Sequence, residues 1–188
     1  ALAADRAGKA YAMWSQPSAP GKPGAVLYVA TWDGTRWSRP APALRSPVRA
    51  SIVAAGDQTA AKAEQPSLAV SLDGRLHAVW SGGVTGEILY SSAYARDAAS
   101  SRWSDPARLP APSLVGSWPN IVADPRGSVL HVLYAVPYNE ARGIYYVRSD
   151  DGGATWLTPT LVLDAALAGW NAVDKPRLAL DARSDTLH

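Results

Sequence analysis

The chain contains no cysteine and no phenylalanine, and it has only one methionine among its 188 residues. Without cysteine it has no disulfide bonds, no thiolate metal ligands and no cysteine nucleophile. Its apolar runs all fall short of the roughly 18 residues that a membrane-spanning helix requires. The aromatic residues are instead eight Trp and eight Tyr, whose polar atoms suit strands that are apolar on one side and wet on the other.

Neither positive nor negative charge is in large excess. The 18 basic residues nearly balance the 16 acidic ones, which leaves a net charge of +2 and no run of Lys or Arg. Nucleic-acid binding needs a clustered basic patch, so we expect no nucleic-acid partner. The hydrophobic share of 47% is typical of a globular chain with a core of its own.

Helical signals are weak. The 15 prolines interrupt most windows in which a helix could form. Two short Ala-rich stretches, residues 57–64 and 164–168, could each form one helical turn, but neither is long enough for an independent helix. We therefore expect an all-β protein without a membrane span.

Four stretches of the chain align with one another. Each reads as a short strand, a turn containing Asp or Gly, and a second strand of alternating character that leads toward an aromatic residue. In the later copies a proline precedes the first strand, where its missing N–H does no harm. The stretches are residues 2–14, 68–80, 121–134 and 178–188, of which the last is partial, and the prolines are Pro66, Pro119 and Pro176.

The repeating unit continues past these strand pairs. A third strand follows in each complete unit, and then a turn that leads into a tryptophan. A unit of about fifty residues with four strands is typical of a β-propeller blade. We predict a β-propeller segment of three four-stranded antiparallel blades and the start of a fourth. The third strands cover residues 26–30, 88–92 and 144–148, the tryptophans are Trp37, Trp103 and Trp156, and the predicted units are 1–45, 65–110, 118–163 and 175–188.

The turn before Trp156 carries the most specific motif. Residues 149–156 read Ser-Asp-Asp-Gly-Gly-Ala-Thr-Trp, which fits the pattern Ser-x-Asp-x-Gly-x-Thr-Trp. An Asp in such a turn accepts hydrogen bonds from nearby backbone N–H groups, Gly adopts backbone angles that other residues resist, and the Trp can pack beneath the turn. We therefore expect a structural role for the five residues of the pattern, which are Ser149, Asp151, Gly153, Thr155 and Trp156.

This octet resembles the Asp-box, or BNR repeat, of sialidase-like β-propellers. The resemblance covers nearly the whole chain, since the first and second units keep degenerate copies of the turn around Asp33 and Asp97. It implies a six-bladed ring, of which this chain would be a segment. The remaining blades of a longer protein, or a second copy of the chain, would then close the ring.

The three histidines occupy one position of the repeat. They are His77, His131 and His188. Three histidines suggest a zinc site, but equivalent positions of neighbouring blades lie far apart around a ring, and the first unit has Tyr11 there. We interpret the histidines as structural strand residues and expect neither a metal nor a cofactor.

The aspartates recur at turns. A glycosidase needs two carboxyl groups that face one bond, and the linear spacing of these residues pairs none of them. Hydrogen bonding of each aspartate to its own turn is the favoured interpretation. The residues are Asp5, Asp73, Asp124 and Asp181 in the first turn of each unit, and Asp33 and Asp151 in the turn after the third strand.

The resemblance to sialidases also implies three arginines that bind the substrate carboxylate, an Asp acid/base, and a Tyr nucleophile activated by a Glu. A triad arginine would stand just beyond the second strand of a blade. This chain has Ser-Gln at 15–16, Ser-Gly at 81–82 and Ala-Val at 135–136, so none of these places holds Arg. Glu140 and Arg142 are the only local pair with suitable chemistry, and we treat them as weak catalytic candidates that otherwise decorate a hairpin loop.

Two tryptophans are candidates for ligand binding. Trp118 and Trp170 lie in the connections before Pro119 and Pro176, where they either stack on sugar rings or, the favoured alternative, pack between blades. The sequence thus favours a non-catalytic binding or scaffold module of a secreted or cell-surface protein, with a glycan or a protein as ligand. Part of an exo-sialidase-like glycoside hydrolase and a structural segment of a surface assembly are the alternatives.

Overall fold

The computed structural model describes residues 1–17, 25–46, 64–82, 86–113, 115–184 and 186–188. Over these residues the protein is all-β, with three four-stranded antiparallel sheets and one two-stranded sheet. The predicted fold class is therefore confirmed. No helix within the described ranges has the length and apolar character to cross a membrane.

Each sheet is assembled from strands in chain order. The first contains β1 (Leu2–Ala4), β2 (Ala10–Pro17), β3 (Ala25–Trp32) and β4 (Ala41–Arg45). The second contains β5 (Glu64–Val70), β6 (Arg75–Gly82), β7 (Glu87–Tyr94) and β8 (Ala107–Arg108). The third contains β9 (Ser117–Ala123), β10 (Leu130–Val136), β11 (Gly143–Ser149) and β12 (Thr160–Asp164), and β13 (Leu180–Asp181) pairs with β14 (Thr186–Leu187).

The two Ala-rich stretches, each predicted as a possible helical turn, differ in what the structure describes of them. Residues 57–63 lie outside the described part of the chain, and Glu64 begins β5. Residues 164–168 form a turn in which the Ala168 N–H donates to the Asp164 carbonyl at 3.1 Å. A 3-10 helix that we did not predict spans Ala95–Asp97 and continues into the turn after the third strand of the second sheet.

The sheets pack face to face. Leu76 and Trp80 on β6 belong to one apolar core with Met13 and Leu27 of the first sheet. Val79, which points to the opposite face of β6, belongs to a second core with the third sheet. The second sheet is therefore buried on both faces, as blades in the middle of a propeller are.

The first strands of successive units lie side by side. β1 adjoins β5, and β5 adjoins β9. The side chain after Pro66 or Pro119 links the second unit to the third and the third to the fourth: Ser67 Oγ accepts from the Ile121 N–H at 3.2 Å, and Asn120 Oδ1 accepts from the Leu178 N–H at 3.3 Å. The same hydrogen bond thus recurs at equivalent positions, which fixes a regular step from sheet to sheet.

The antiparallel register gives the assembly two distinct ends. In the third sheet Ala135 pairs with both Ser117 and Ile144, so the loop 137–142 lies at the same end as the start of β9. We call this end the axial face, because the first strands converge there. The Asp-containing turns lie at the opposite end, which we call the turn face.

Candidate functional site

A pocket of about 450 Å³ opens where the first strands begin on the axial face. Its wall is built from equivalent segments of successive units, each of which contains one proline. Such a position at the centre of converging strands is typical of ligand sites in propellers and barrels. The segments are residues 65–68, 118–120 and 175–177, together with Ala1 and Leu2.

Unusual backbone geometry shapes this pocket. Gln65, Trp118 and Lys175 each precede a proline, and their φ angles are 55°, 51° and 48°. Non-glycine residues rarely adopt this left-handed region, and it costs free energy that the surrounding structure must offset. A strained conformation that recurs at three equivalent positions around one pocket is the type of feature that clusters at binding sites.

Trp118 forms part of the pocket wall and part of the packing between units. Its N–H donates to Gln65 Oε1 at 2.8 Å. The residue also packs against a small apolar cluster that contains Ala135, Ala165 and Val173. Trp118 therefore lines the pocket while it joins the third sheet to the following segment.

The pocket is positively charged. Lys175 and Arg177 are both exposed at its rim, and no carboxylate occurs among the described residues that line it. Asp174 lies beside this pocket, with its Oδ2 3.5 Å from the Lys175 ammonium in a solvent-exposed pair. Exposed pairs of this kind are weak, so the ammonium remains available to an anionic ligand.

Next to the pocket, the loop 137–142 contacts the segment before the fourth unit. The Arg142 guanidinium donates from Nε to the Trp170 carbonyl at 2.6 Å and from a terminal nitrogen to the Asn139 carbonyl at 3.0 Å. Trp170 and Tyr138 expose 51% and 62% of their surface. The structure therefore brings Arg142 and Trp170 together, while Glu140 stays exposed on the loop.

The octet 149–156 lies on the turn face. Asp151 Oδ1 accepts from Ser149 Oγ and from the Thr155 N–H, both at 2.8 Å. The hydroxyl of Thr155 binds the other carboxylate oxygen and is the main cause that lowers the pKa of Asp151 to about 2. Gly153 has a φ of 89°, a conformation that favours glycine.

The octet also binds the neighbouring sheet through Tyr90, a contact that sequence reasoning did not find. The Tyr90 ring meets Trp156 edge to face, with centroids 5.1 Å apart, and its hydroxyl donates to the Gly152 carbonyl at 3.2 Å. A Cβ on Gly153 would collide with this hydroxyl. Because Tyr90 is 62 residues from Gly152, no local pattern could have indicated the contact.

His77 is buried at the base of this contact. Its Nδ1 lies 2.8 Å from the Tyr90 hydroxyl, and its Nε2 lies 2.8 Å from Ser71 Oγ. Burial lowers the pKa of His77 to about 4, so the ring is neutral at neutral pH. His131 repeats the arrangement with Tyr146 at 2.7 Å, and the 188-residue chain has its third histidine at His188, which is exposed.

The other aspartates hydrogen-bond within their own turns. Asp5 Oδ1 accepts from the Ala7 and Lys9 N–H groups, and Asp33 Oδ1 accepts from those of Thr35 and Arg36. Asp124 and Asp181 accept in the same way from the residue two positions later. In the part of the chain that the structure describes, no group of three or more His, Asp or Glu side chains is arranged to hold a metal ion.

Comparisons with known proteins reveal similarity in structure only. No family model matches the chain, and no curated protein matches it. A Hadza microbial sialidase, Hz136, superimposes with a TM-score of 0.53 at 13% identity over 82% of this chain and 35% of its own. A polysaccharide lyase, a PL25 ulvan lyase bound to -[GlcA(1-4)Rha3S]-, gives a TM-score of 0.56 at 14% identity over 84% of this chain and 36% of its own.

A GH43 endo-arabinanase from Bacillus licheniformis gives a TM-score of 0.49 at 16% identity over 80% of this chain and 50% of its own. The chain thus spans between about a third and a half of the lengths of these structures. At such identities the similarity to the sialidase and to the polysaccharide lyase establishes the fold alone, which is that of β-propeller blades.

Proposed function

We propose that the protein is a non-catalytic glycan-binding β-propeller module and that the axial pocket is its binding site. The observation that carries the proposal is the pocket itself, with Trp118 in its wall and Lys175 and Arg177 at its rim. Two cations without an opposing carboxylate in the described lining favour a saccharide that bears a carboxylate or sulfate. The similarity in fold to a sialidase and to a sugar-bound lyase adds support.

The proposal that the module is non-catalytic rests on the absence of sialidase-type arginines at the expected places and on the contacts of Arg142. The places at which a sialidase-type arginine would stand hold no Arg. Arg142 is engaged by the Trp170 and Asn139 carbonyls, which favours a role in holding the loop 137–142 in place. We therefore propose positioning, and no part in bond cleavage, for Arg142.

Two further proposals concern the context of the module. The octet 149–156 supports membership of the Asp-box type of propeller, because Asp151, Gly153 and Trp156 adopt the turn that the pattern requires. Glycan binding and the lack of cysteine are compatible with a secreted or cell-surface location, which we also propose.

We propose that further blades cover the outer face of the first sheet. That face carries Trp14 stacked on Tyr28, with centroids 6.1 Å apart. The equivalent pair in the third sheet, Tyr134 and Tyr145, is stacked in the same way and buried against the second sheet. The covering sheet would come from the remaining blades of a longer protein or from a second copy of the chain.

Titration calorimetry with carboxylated saccharides tests the binding proposal. Glucuronate- and sialate-containing oligosaccharides should bind, and Lys175→Ala with Arg177→Ala should weaken binding about tenfold or more. Arg39→Ala removes one exposed charge on the turn face and is the control for charge loss away from the pocket. Unchanged affinity in the double variant, or equal weakening by the control, would rule out the axial pocket.

A further inference from the structure

A second cleft lies on the turn face, remote from the axial pocket. It occupies about 680 Å³ between the second sheet and the octet turn of the third sheet. This volume is within the range of small-molecule sites in proteins. The proposed glycan-binding function makes no use of this cleft.

The base of the cleft is a hydrogen-bonded row of buried polar groups. Tyr90, His77 and Ser71 are joined hydroxyl to ring to hydroxyl at 2.8 Å each. Each of the three residues is less than 9% exposed. Since these groups are fixed by one another and by Gly152 of the next sheet, the base is rigid and polar before any ligand arrives.

The rim carries more negative than positive charge. Asp73, Asp105 and Asp151 are exposed carboxylates of the lining, and Arg75 is its one described cation. Arg75 is held in place, since its guanidinium lies 4.4 Å from the centre of the Tyr94 ring and 3.4 Å from Ser92 Oγ. The local formal charge of these four side chains is −2, opposite in sign to that of the axial pocket.

The lining is suited to hydroxyl groups. Carboxylates accept hydrogen bonds, the guanidinium donates them, and the hydroxyls of Ser92, Ser104 and Ser128 do both. A sugar hydroxyl is both donor and acceptor, so vicinal hydroxyls can bind a carboxylate and a guanidinium side by side. An anionic ligand would face three carboxylates, and two of these, Asp73 and Asp151, already accept hydrogen bonds in their own turns.

We propose that this cleft binds a neutral saccharide unit, independently of the anionic ligand proposed for the axial pocket. Asp105 accepts from the sugar hydroxyls, Arg75 donates to them, and exposed Leu72 packs against the apolar face of the ring. A chain with both sites would hold two different parts of one glycan, or two glycans, on opposite faces.

Amide chemical-shift mapping with maltose, lactose, mannobiose and xylobiose tests the proposal, with glucuronate as the charged comparison. At least one neutral disaccharide should shift the amides of Ser92, Ser104 and Ser128, and glucuronate should not. Ala107→Trp and Ala154→Trp place a bulky ring in the cleft from two different elements, and both alanines are exposed. Each should weaken binding about tenfold or more.

Ala168→Trp is the control, because Ala168 is exposed outside the cleft lining. The proposal is overturned if none of the four disaccharides causes a shift, or if the shifts persist in both cleft-filling variants. Stronger shifts with glucuronate than with the neutral sugars would also overturn it. Lys175→Ala and Arg177→Ala should leave these shifts unchanged, so failure of the axial site and failure of the cleft are distinguishable.

Discussion

At the scale of single residues, Gly153 has two independent reasons to be glycine. Its φ of 89° penalises any other residue, and a Cβ would meet the Tyr90 hydroxyl. Gly34 in the first unit has a φ of 105°, but no atom lies within 4 Å of its hypothetical Cβ. Substitutions at these two glycines therefore distinguish the cost of backbone strain alone from the added cost of a steric clash.

Gly153→Ala should lower the free energy of unfolding by about 2–4 kcal/mol, and Gly34→Ala by about 1 kcal/mol. The larger loss includes displacement of Tyr90 from the octet, while the smaller one reflects the backbone alone. Urea denaturation of the two variants measures the difference. Equal losses would mean that the packing of Tyr90 against Gly153 contributes nothing.

The buried imidazole of His77 makes stability depend on pH. Burial lowers its pKa from 6.5 to about 4 in the folded protein, so between these values the unfolded chain binds more protons. The free energy of unfolding therefore falls as the pH drops from about 6.5 to about 4, by on the order of 3 kcal/mol from this one group. Above pH 6.5 the histidine does not contribute to the pH dependence of the free energy of unfolding.

His77→Gln should remove that dependence, because an amide can bind both Tyr90 and Ser71 without titrating. Stability of the parent chain and the variant, measured by denaturation at half-unit steps from about pH 4 to 7, gives the difference directly. If both chains lose stability in parallel across this range, the histidine is not the titrating group.

At the scale of elements, the sheets are joined by contacts between one blade and the turn of the next. The Tyr90 hydroxyl contacts His77 within its own sheet and Gly152 of the third sheet. Tyr146, at the equivalent place in the third sheet, contacts His131. Comparison of the two tyrosines therefore separates the hydrogen bond to Gly152 of the neighbouring sheet from the hydrogen bond to a histidine of the same sheet.

Tyr90→Phe should lower the free energy of unfolding by about 1.5–3 kcal/mol, since it removes the cross-sheet bond and leaves a buried ring nitrogen without its partner. Tyr146→Phe should cost about 0.5–1.5 kcal/mol. Thermal denaturation with a full transition for each variant provides the values. A loss for Tyr146→Phe as large as that for Tyr90→Phe would contradict the cross-sheet role.

At the scale of the whole molecule, the two faces differ in charge and so in their response to salt. The axial pocket presents Lys175 and Arg177, whereas the cleft on the turn face carries a net negative rim. Salt at high concentration screens exposed charges over distances beyond a few ångströms. Binding at the two faces should therefore be separable by ionic strength.

Affinity for a carboxylated oligosaccharide should fall several-fold between about 50 mM and 500 mM NaCl, because the ligand is held by exposed cations. Affinity for a neutral disaccharide should change by less than about twofold over the same range. Calorimetric titrations at both salt concentrations measure the two dependences. A salt-insensitive acidic ligand would argue against recognition by Lys175 and Arg177.

The architecture could be predicted from the sequence because its determinants are local. The apolar runs of β6 and β10, turn formation at Asp73-Gly74 and Asp151-Gly152, and the prolines Pro66, Pro119 and Pro176 of the three later units each involve a few neighbouring residues. These patterns repeat, and repetition indicates blades. The hydrogen bonds of the turn aspartates follow from the same local chemistry.

The two proposed sites could be located only in the tertiary structure. Trp118 and Trp170 could be singled out, but the left-handed φ angles before Pro66, Pro119 and Pro176 run against local preference and occur where the first strands meet. The partnership of Tyr90 with Gly153, and the cleft beside it, join residues that no sequence pattern connects. Local sequence chemistry thus determined the strands and turns of each blade. Long-range packing determined how successive blades are placed, and so which side chains face each other between them.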